Sequence, residues 1–279
     1  MIPVASVVTQ KSLTEFLLLK LSLEQYHNVM WYLSVDEYAF SKLSPYKNIR
    51  LQKLVKTDDC SHGTNDPVKN RLFLELVMTK FDAMKAAISD YGYGIFIDSD
   101  IFFTAPIEDR VLDLMKNPSI DAVLSPHMTN NLGLESQVGH FNVGFFSMRN
   151  LEYLKLHQEM SWNHKELGMY YEQQPLQFSS YNFLTVNLPI YYNVGWWRFN
   201  ENHSKMRLNF LVEDGKDVYF DGNKVVCFHV HALKQLDYTN YGKFFMDRIM
   251  TLMKNCDNKK YSELLQYIES NSENFSQIK

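Results

Sequence analysis

Cysteine is scarce in this chain. Cys60, Cys227 and Cys256 are its only three in 279 residues, an odd set without metal-ligand spacing. That excludes a disulfide framework and points to a reducing compartment. Charge of one sign is also lacking: 28 Lys and Arg face 32 Asp and Glu, a net of −4. No block of like charge marks a nucleic-acid arm or a polybasic membrane patch, so no nucleic-acid partner is expected. No apolar run approaches a membrane span, and the start of the chain has no basic region followed by a long apolar stretch. The expectation is a cytoplasmic protein with no signal peptide or transmembrane segment. On that expectation Asn202-His203-Ser204 and Asn274-Phe275-Ser276, which fit the glycosylation pattern, are chance matches. Repeats and linkers are lacking too, which predicts one domain over residues 1–279.

What is present is material for a full core, with 46% hydrophobic residues including 17 Tyr, 19 Phe and 4 Trp. Flat rings also suit sugar and base pockets. Val4 to Thr9 reads as a first strand, followed by Ser12 as a cap and Leu13, Phe16, Leu17 and Leu21 on a helix. Asn28 to Ser34 and Ile49 to Val55 read as the next two strands. Thr57 to Lys69 is a polar loop, and Leu74, Val77, Met78, Phe81, Met84 and Ile88 mark one face of a long helix. Strands alternating with helices predict an α/β fold with a mainly parallel central sheet flanked by helices. Ligands bind such sheets beyond the carboxyl ends of their strands.

The most informative stretch is Tyr93 to Phe103, where the apolar run Ile95-Phe96-Ile97 stops at Asp98-Ser99-Asp100 and resumes at Ile101-Phe102-Phe103. Two carboxylates at a strand end repel each other and lose hydration, so the arrangement persists most readily around a cation. Mg²⁺ or Mn²⁺ suits oxygen ligands and shares its shell with substrate phosphates. The other reading of an isolated Asp-x-Asp is a solvated turn; the apolar frame on both sides favours the metal.

Other polar residues stand out against apolar surroundings. Asn142 lies near the start of the strand Phe141 to Met148 and must be satisfied by backbone or by ligand. Asn150 caps a helix predicted to run to about Leu167, and the segment from His127 to His140 reads as a loop. Tyr170 to Gln177 gathers a carboxylate and amides. Trp196-Trp197-Arg198 is either packing or a platform for a sugar. Val225 to His231 is a late strand whose His229 and His231 share one face, with Lys234 just beyond. Lys80 lies off the apolar stripe of its helix, which favours a solvated lysine over one reaching phosphate. Residues from Tyr241 to Ile268 read as C-terminal helices.

In this order and rough spacing, Thr79-Lys80-Phe81, Asp98-Ser99-Asp100, Phe141-Asn142-Val143-Gly144, Glu172-Gln173-Gln174-Pro175-Leu176-Gln177, Leu188-Pro189 with Tyr192-Asn193, and His229 to Lys234 resemble a known pattern. It is that of the GT-A fold nucleotide-sugar glycosyltransferases, particularly glycosyltransferase family 8, the glycogenin and lipopolysaccharide galactosyltransferase group. The chain departs from that pattern at Val143, Glu172 and Gln177, and most of all after His229, where the spacing to Lys234 is shortened.

The resemblance implies a single GT-A (Rossmann-like) domain. Residues 1–125 would form its nucleotide-binding half, 126–240 its donor-sugar and acceptor half, and 241–279 its C-terminal helices. It implies Mn²⁺ or Mg²⁺ held by Asp98, Asp100 and a histidine, with His229 preferred and His231 the competing candidate. It further implies a UDP-sugar donor, a glycan or other hydroxyl acceptor, and retention at the anomeric carbon. Lys80 and Lys234 would contact the phosphates, backbone at Val8 and Thr9 the base, and Ser99 and Asp98 would complete the donor-binding set. Asn142 and Glu172 would hold sugar hydroxyls, with Gln173 near the anomeric centre. Two alternatives use the same residues: a non-catalytic binder of sugar nucleotides or glycans with this fold, and a haloacid-dehalogenase-type phosphatase. The phosphatase is disfavoured by Phe102, where its motif needs Thr or Val.

Overall fold

The computed structural model describes residues 1–53, 66–129, 132–199, 212–213, 217–220 and 222–229, with isolated residues 254 and 266. Lys234, His231, Cys60, Cys256, both glycosylation-like triplets, most of the expected 57–69 loop and the expected C-terminal helices, apart from those two isolated positions, lie outside the described residues.

The chain opens with β1 (Ile2–Val8), a short 3-10 turn (Gln10–Ser12), α1 (Leu13–Glu24), β2 (Val29–Val35), α2 (Glu37–Leu43) and β3 (Ile49–Lys53). Next come α3 (Pro67–Tyr91), β4 (Gly94–Ile97), β5 (Ile101–Phe103), α4 (Asp109–Lys116), β6 (Ala122–Pro126), α5 (Leu132–Val138) and β7 (Phe141–Met148). The later elements are α6 (Leu151–Trp162), α7 (Gln173–Ser180), β8 (Thr185–Asn187), β9 (Val194–Gly195), a second 3-10 turn (Trp196–Phe199), β10 (Val212–Glu213), β11 (Asp217–Phe220), β12 (Asn223–Lys224) and β13 (Cys227–His229).

Seven strands form the main sheet in the order β3-β2-β1-β4-β7-β6-β8. All neighbouring pairs run parallel except those of β7, which is antiparallel to both β4 and β6. The crossovers from β1 lead to β2 on one side, while β4 lies on the other, so a crevice opens beyond the carboxyl ends of β1 and β4. Asp98 stands at that end.

Alternation along buried strands builds two cores. Ile95, Ile97 and Phe145 face a layer with Phe16, Leu19, Trp31 and Val111. Phe96 and Phe146 face the other way, onto Met78, Phe81, Met84, Tyr153 and Leu176. The Phe96 and Phe146 rings stack with centroids 5.4 Å apart, and each fully buried ring of this kind contributes roughly 1.5–3 kcal/mol.

Helix ends follow local chemistry. Asp66 accepts from Val68 and Lys69 N–H at the start of α3, Pro67 occupies the first turn, and Gly92 ends it at φ 74°. Thus the polar stretch expected as loop to Lys69 is already helical from Pro67. Asn150 caps α6 as expected, but α6 stops at Trp162 rather than near Leu167. The expected 127–140 loop contains the helix α5. Ser12 does not cap α1 with its side chain; its Oγ accepts from Thr9 N–H instead.

Candidate active site

Two features assemble the site: a turn after β4 and the pairing of a small second sheet. Asp98 N–H donates to Gly144 O at 2.7 Å, and Ile101 N–H donates to Asp98 O at 3.2 Å, which places Asp98 and Asp100 on one tight lip. β5 then begins at Ile101, and β13 pairs with it antiparallel so that His229 lies opposite Ile101. β9 flanks β13 on its other edge, with Gly195 opposite His229.

That register carries the imidazole to the acidic turn. His229 Nε2 is 3.1 Å from Asp100 Oδ1 and 3.8 Å from Asp98 Oδ2. One ligand atom from each of Asp98, Asp100 and His229 lies within 4.8 Å of the others. Gly144 forms the floor: a Cβ there would lie 2.2 Å from His229 Cε1 and 2.8 Å from Asp98 Oδ2. Two carboxylates and one imidazole at this separation fit a divalent cation that accepts oxygen and nitrogen ligands.

The cluster is open on one side, since the Asp98 side chain is 35% exposed whereas those of Asp100 and His229 are 9% and 7% exposed. Burial raises the Asp98 pKa above the ordinary carboxylate value; Lys80 and His229 oppose that shift, and Asp100 and Glu172 reinforce it. At His229 burial works against the charged form, but the Asp100 and Asp98 carboxylates overcome it and raise the pKa. Trp197 meets His229 edge-on with centroids 4.9 Å apart, and its Nε1–H donates to His127 O at 2.8 Å. Burial pushes the His127 pKa down to about 4.

Beside the triad lies a second charged pair. Lys80 Nζ is 3.1 Å from Glu172 Oε1 and sits over the Phe96 ring, 4.8 Å from its centroid. Burial alone would raise the Glu172 pKa, but Lys80 holds it below the usual carboxylate value. His157 fixes the same segment, with its Nε2–H donating to Glu172 O at 2.9 Å.

No protein-family model and no curated protein matches the sequence. The structure, however, matches the crystal structure of mouse xyloside xylosyltransferase 1 in its apo form, with a TM-score of 0.52 and 13% identity, covering 82% of this chain and 97% of that one. The fold is GT-A-like. Its α/β layering and seven-stranded, mainly parallel sheet agree with the architecture expected from the sequence.

Within this GT-A-like fold, Asp98, Asp100 and His229 converge, whereas Lys234 and the competing His231 lie outside the described residues. Lys80 departs from the solvated reading: it is 4% exposed and paired with Glu172. Glu172 precedes α7, and Gln173 opens it. The Gln173 Oε1 atom is buried with no hydrogen-bond partner among the described residues. Asn142 Oδ1 is already engaged by Gly144 N–H at 2.8 Å and by Asn193 Nδ2 at 2.9 Å. Ser99 is half-buried in the acidic turn, Val8 is buried, and Thr9 N–H is taken by Ser12 Oγ at 3.0 Å.

Asn193, to which the sequence reading gave no role, also joins the candidate site. It is fully buried and bonds to His229, Asn142 and Ser125. Its signals in the sequence were its place in the Leu188-Pro189 with Tyr192-Asn193 part of the resemblance and a lone amide ahead of the apolar Val194. Trp197 and Arg198 take the packing role rather than that of an exposed platform: both are buried, and Arg198 donates to the carbonyls of Pro126, Ile190 and Tyr192.

Proposed function

We propose that this protein is a metal-dependent glycosyltransferase that moves a sugar from a nucleoside-diphosphate sugar, a UDP-sugar in the first instance, to a hydroxyl acceptor such as a glycan, with retention at the anomeric carbon. The observation that carries this reading is the convergence of Asp98, Asp100 and His229 at the carboxyl end of β4 in a GT-A-like fold. These three would hold Mn²⁺ or Mg²⁺. When bound there, such an ion neutralises the charge of a departing diphosphate.

The chain's own residues divide the remaining work. Lys80, pinned by Glu172 and close enough to bias Asp98, supplies a fixed positive charge beside the diphosphate. Ser99 lines the same turn, and Lys234 adds a second cation to that role. Glu172 and the Nδ2 amine of Asn142 hold sugar hydroxyls, since Asn142 Oδ1 is occupied. The buried Gln173 Oε1 offers an acceptor lone pair toward the sugar. The segment at Val8 and Thr9, at the end of β1 beside the crevice, meets the base. Among the described residues no helix is long and apolar enough to cross a membrane; the proposed location is the cytoplasm.

The test is turnover of a panel of UDP-sugars, UDP-xylose and UDP-hexoses together, with and without Mn²⁺. Slow Mn²⁺-dependent hydrolysis or transfer is expected, abolished in Asp100→Asn while the melting transition stays cooperative. Saturable binding without turnover across donors and acceptors would replace this reading with the non-catalytic binder. Mg²⁺-dependent release of phosphate from simple phosphoesters would replace it with the phosphatase.

A further inference from the structure

We infer that Asn193 is a positioning residue: by holding the Nδ1–H of His229 it fixes the tautomer in which, once a cation displaces the Nε2 contact with Asp100, the Nε2 lone pair and not an N–H faces the space between Asp98 and Asp100. The inference rests on the metal reading above and adds to it a residue outside the donor set.

The argument starts from a group whose polarity is beyond choice, a backbone N–H. Gly144 N–H lies 2.8 Å from the Asn142 side chain, so the atom that faces it is the amide oxygen. Asn193 places its own amide 2.9 Å from that same oxygen and 2.9 Å from Ser125 Oγ. Only the NH₂ end of Asn193 can donate to an oxygen already fixed as acceptor. Its Oδ1 therefore points the other way and meets His229 Nδ1 at 2.9 Å. A carbonyl oxygen only accepts, so Nδ1 carries the proton. Nε2, 3.1 Å from Asp100 Oδ1, is left as the ligating nitrogen.

Backbone geometry holds the relay in place. Asn193 sits at φ 51°, a left-handed conformation that Asn tolerates better than most residues. Its N–H donates to Cys227 Sγ at 3.2 Å, which ties its turn to β13 two residues before His229. Arg198 clamps the carbonyls of Ile190 and Tyr192 on the same turn and that of Pro126 at the end of β6. Deleting this partner would leave the imidazole free to rotate or change tautomer, which typically costs 10–100-fold in metal affinity.

Calorimetric titration with Mn²⁺ tests this on wild type, Asn193→Gly, His229→Ala and Asp100→Asn, glycine being chosen because it accepts the positive φ. Asn193→Gly is expected to bind Mn²⁺ about 10–100-fold more weakly, and the other two variants to lose binding. A second measurement, nitrogen NMR of histidine-labelled wild type saturated with Mg²⁺, is expected to show a slowly exchanging His229 Nδ1–H and no Nε2–H. Mn²⁺ affinity in Asn193→Gly within twofold of wild type, with Asp100→Asn still inactive in binding, would overturn the positioning role and leave the metal site standing. Wild-type affinity in Asp100→Asn would instead remove the metal site itself. If Asn193→Gly fails to fold, the wild-type spectrum decides: a proton on Nε2 overturns the inference.

Discussion

Lys80 Nζ and Glu172 Oε1 meet at 3.1 Å across 92 residues of sequence, with their side chains only 5% and 13% exposed. Such a pair repays its desolvation only while both partners are present. Lys80→Met leaves Glu172 buried without its cation and next to Asp98, and is expected to cost about 3–5 kcal/mol. Adding Glu172→Leu to Lys80→Met should recover most of that loss. Urea denaturation of the single and double variants measures it, and a double variant no more stable than the single one would contradict the pairing argument.

Gly144 allows the acidic turn and the imidazole to touch. A Cβ at this position would stand 2.2 Å from His229 Cε1, well inside contact distance, and His229 is held from behind by Asn193. Gly144→Ala must therefore displace His229 or Asp98. We expect about 1–3 kcal/mol of destabilisation, the usual cost of overpacking, together with loss of Mn²⁺ binding. Calorimetry showing unchanged affinity in a folded Gly144→Ala would mean that the three donor groups do not act together.

Much of this was legible in the sequence, and the reason is period. Strands buried on both faces show as short apolar runs, so β1, β2, β4 and β7 stand out, and the acids at 98 and 100 stand out against the run they interrupt. What spacing cannot encode is partnership over long separations. Lys80 lies off the apolar stripe of α3 and reads as solvated, yet Glu172 supplies the charge that lets it be buried. Asn193 likewise shows no periodicity, although Tyr192-Asn193 belongs to the resemblance; its place beside His229 follows from the pairing of β13 with β5 and β9, strands of two or three residues too short for periodicity to reveal. The helix α5 was hidden because none of its residues is buried, which leaves no apolar face to detect.

Arg198 is 2% exposed and donates to the carbonyls of Pro126, Ile190 and Tyr192. Burial lowers its pKa to about 10, which still leaves it charged at neutral pH. A lysine cannot span three carbonyls with one ammonium as the planar fork does. Arg198→Lys is expected to lose about 1–3 kcal/mol, the cost of buried acceptors left without donors, and to loosen the turn that carries Asn193. Thermal melts give the stability, and faster exchange of the His229 Nδ1 proton would report the loosening. Wild-type stability together with unchanged exchange would deny the clamp.

His157 sets the acid response of the fold. It is fully buried between Phe81 and Phe146, and burial, reinforced by the nearby Lys80, pushes its pKa down to about 4 from 6.5 even though it donates to Glu172 O. The folded state thus holds this ring neutral in a range where the unfolded chain protonates it. With the unfolded chain binding more protons, stability falls as pH drops from about 6.5 to about 4, and this group adds no further loss below that. The contribution is about 3 kcal/mol over the window, and His127, also held near 4 by burial, acts in the same direction. His157→Gln keeps a donor for Glu172 O but has nothing to titrate. Its urea-derived stability should therefore decline less steeply, by up to about 1.4 kcal/mol per pH unit within the window. Parallel stability curves for wild type and His157→Gln between pH 7 and 4 would show that this imidazole is protonated in the folded protein after all.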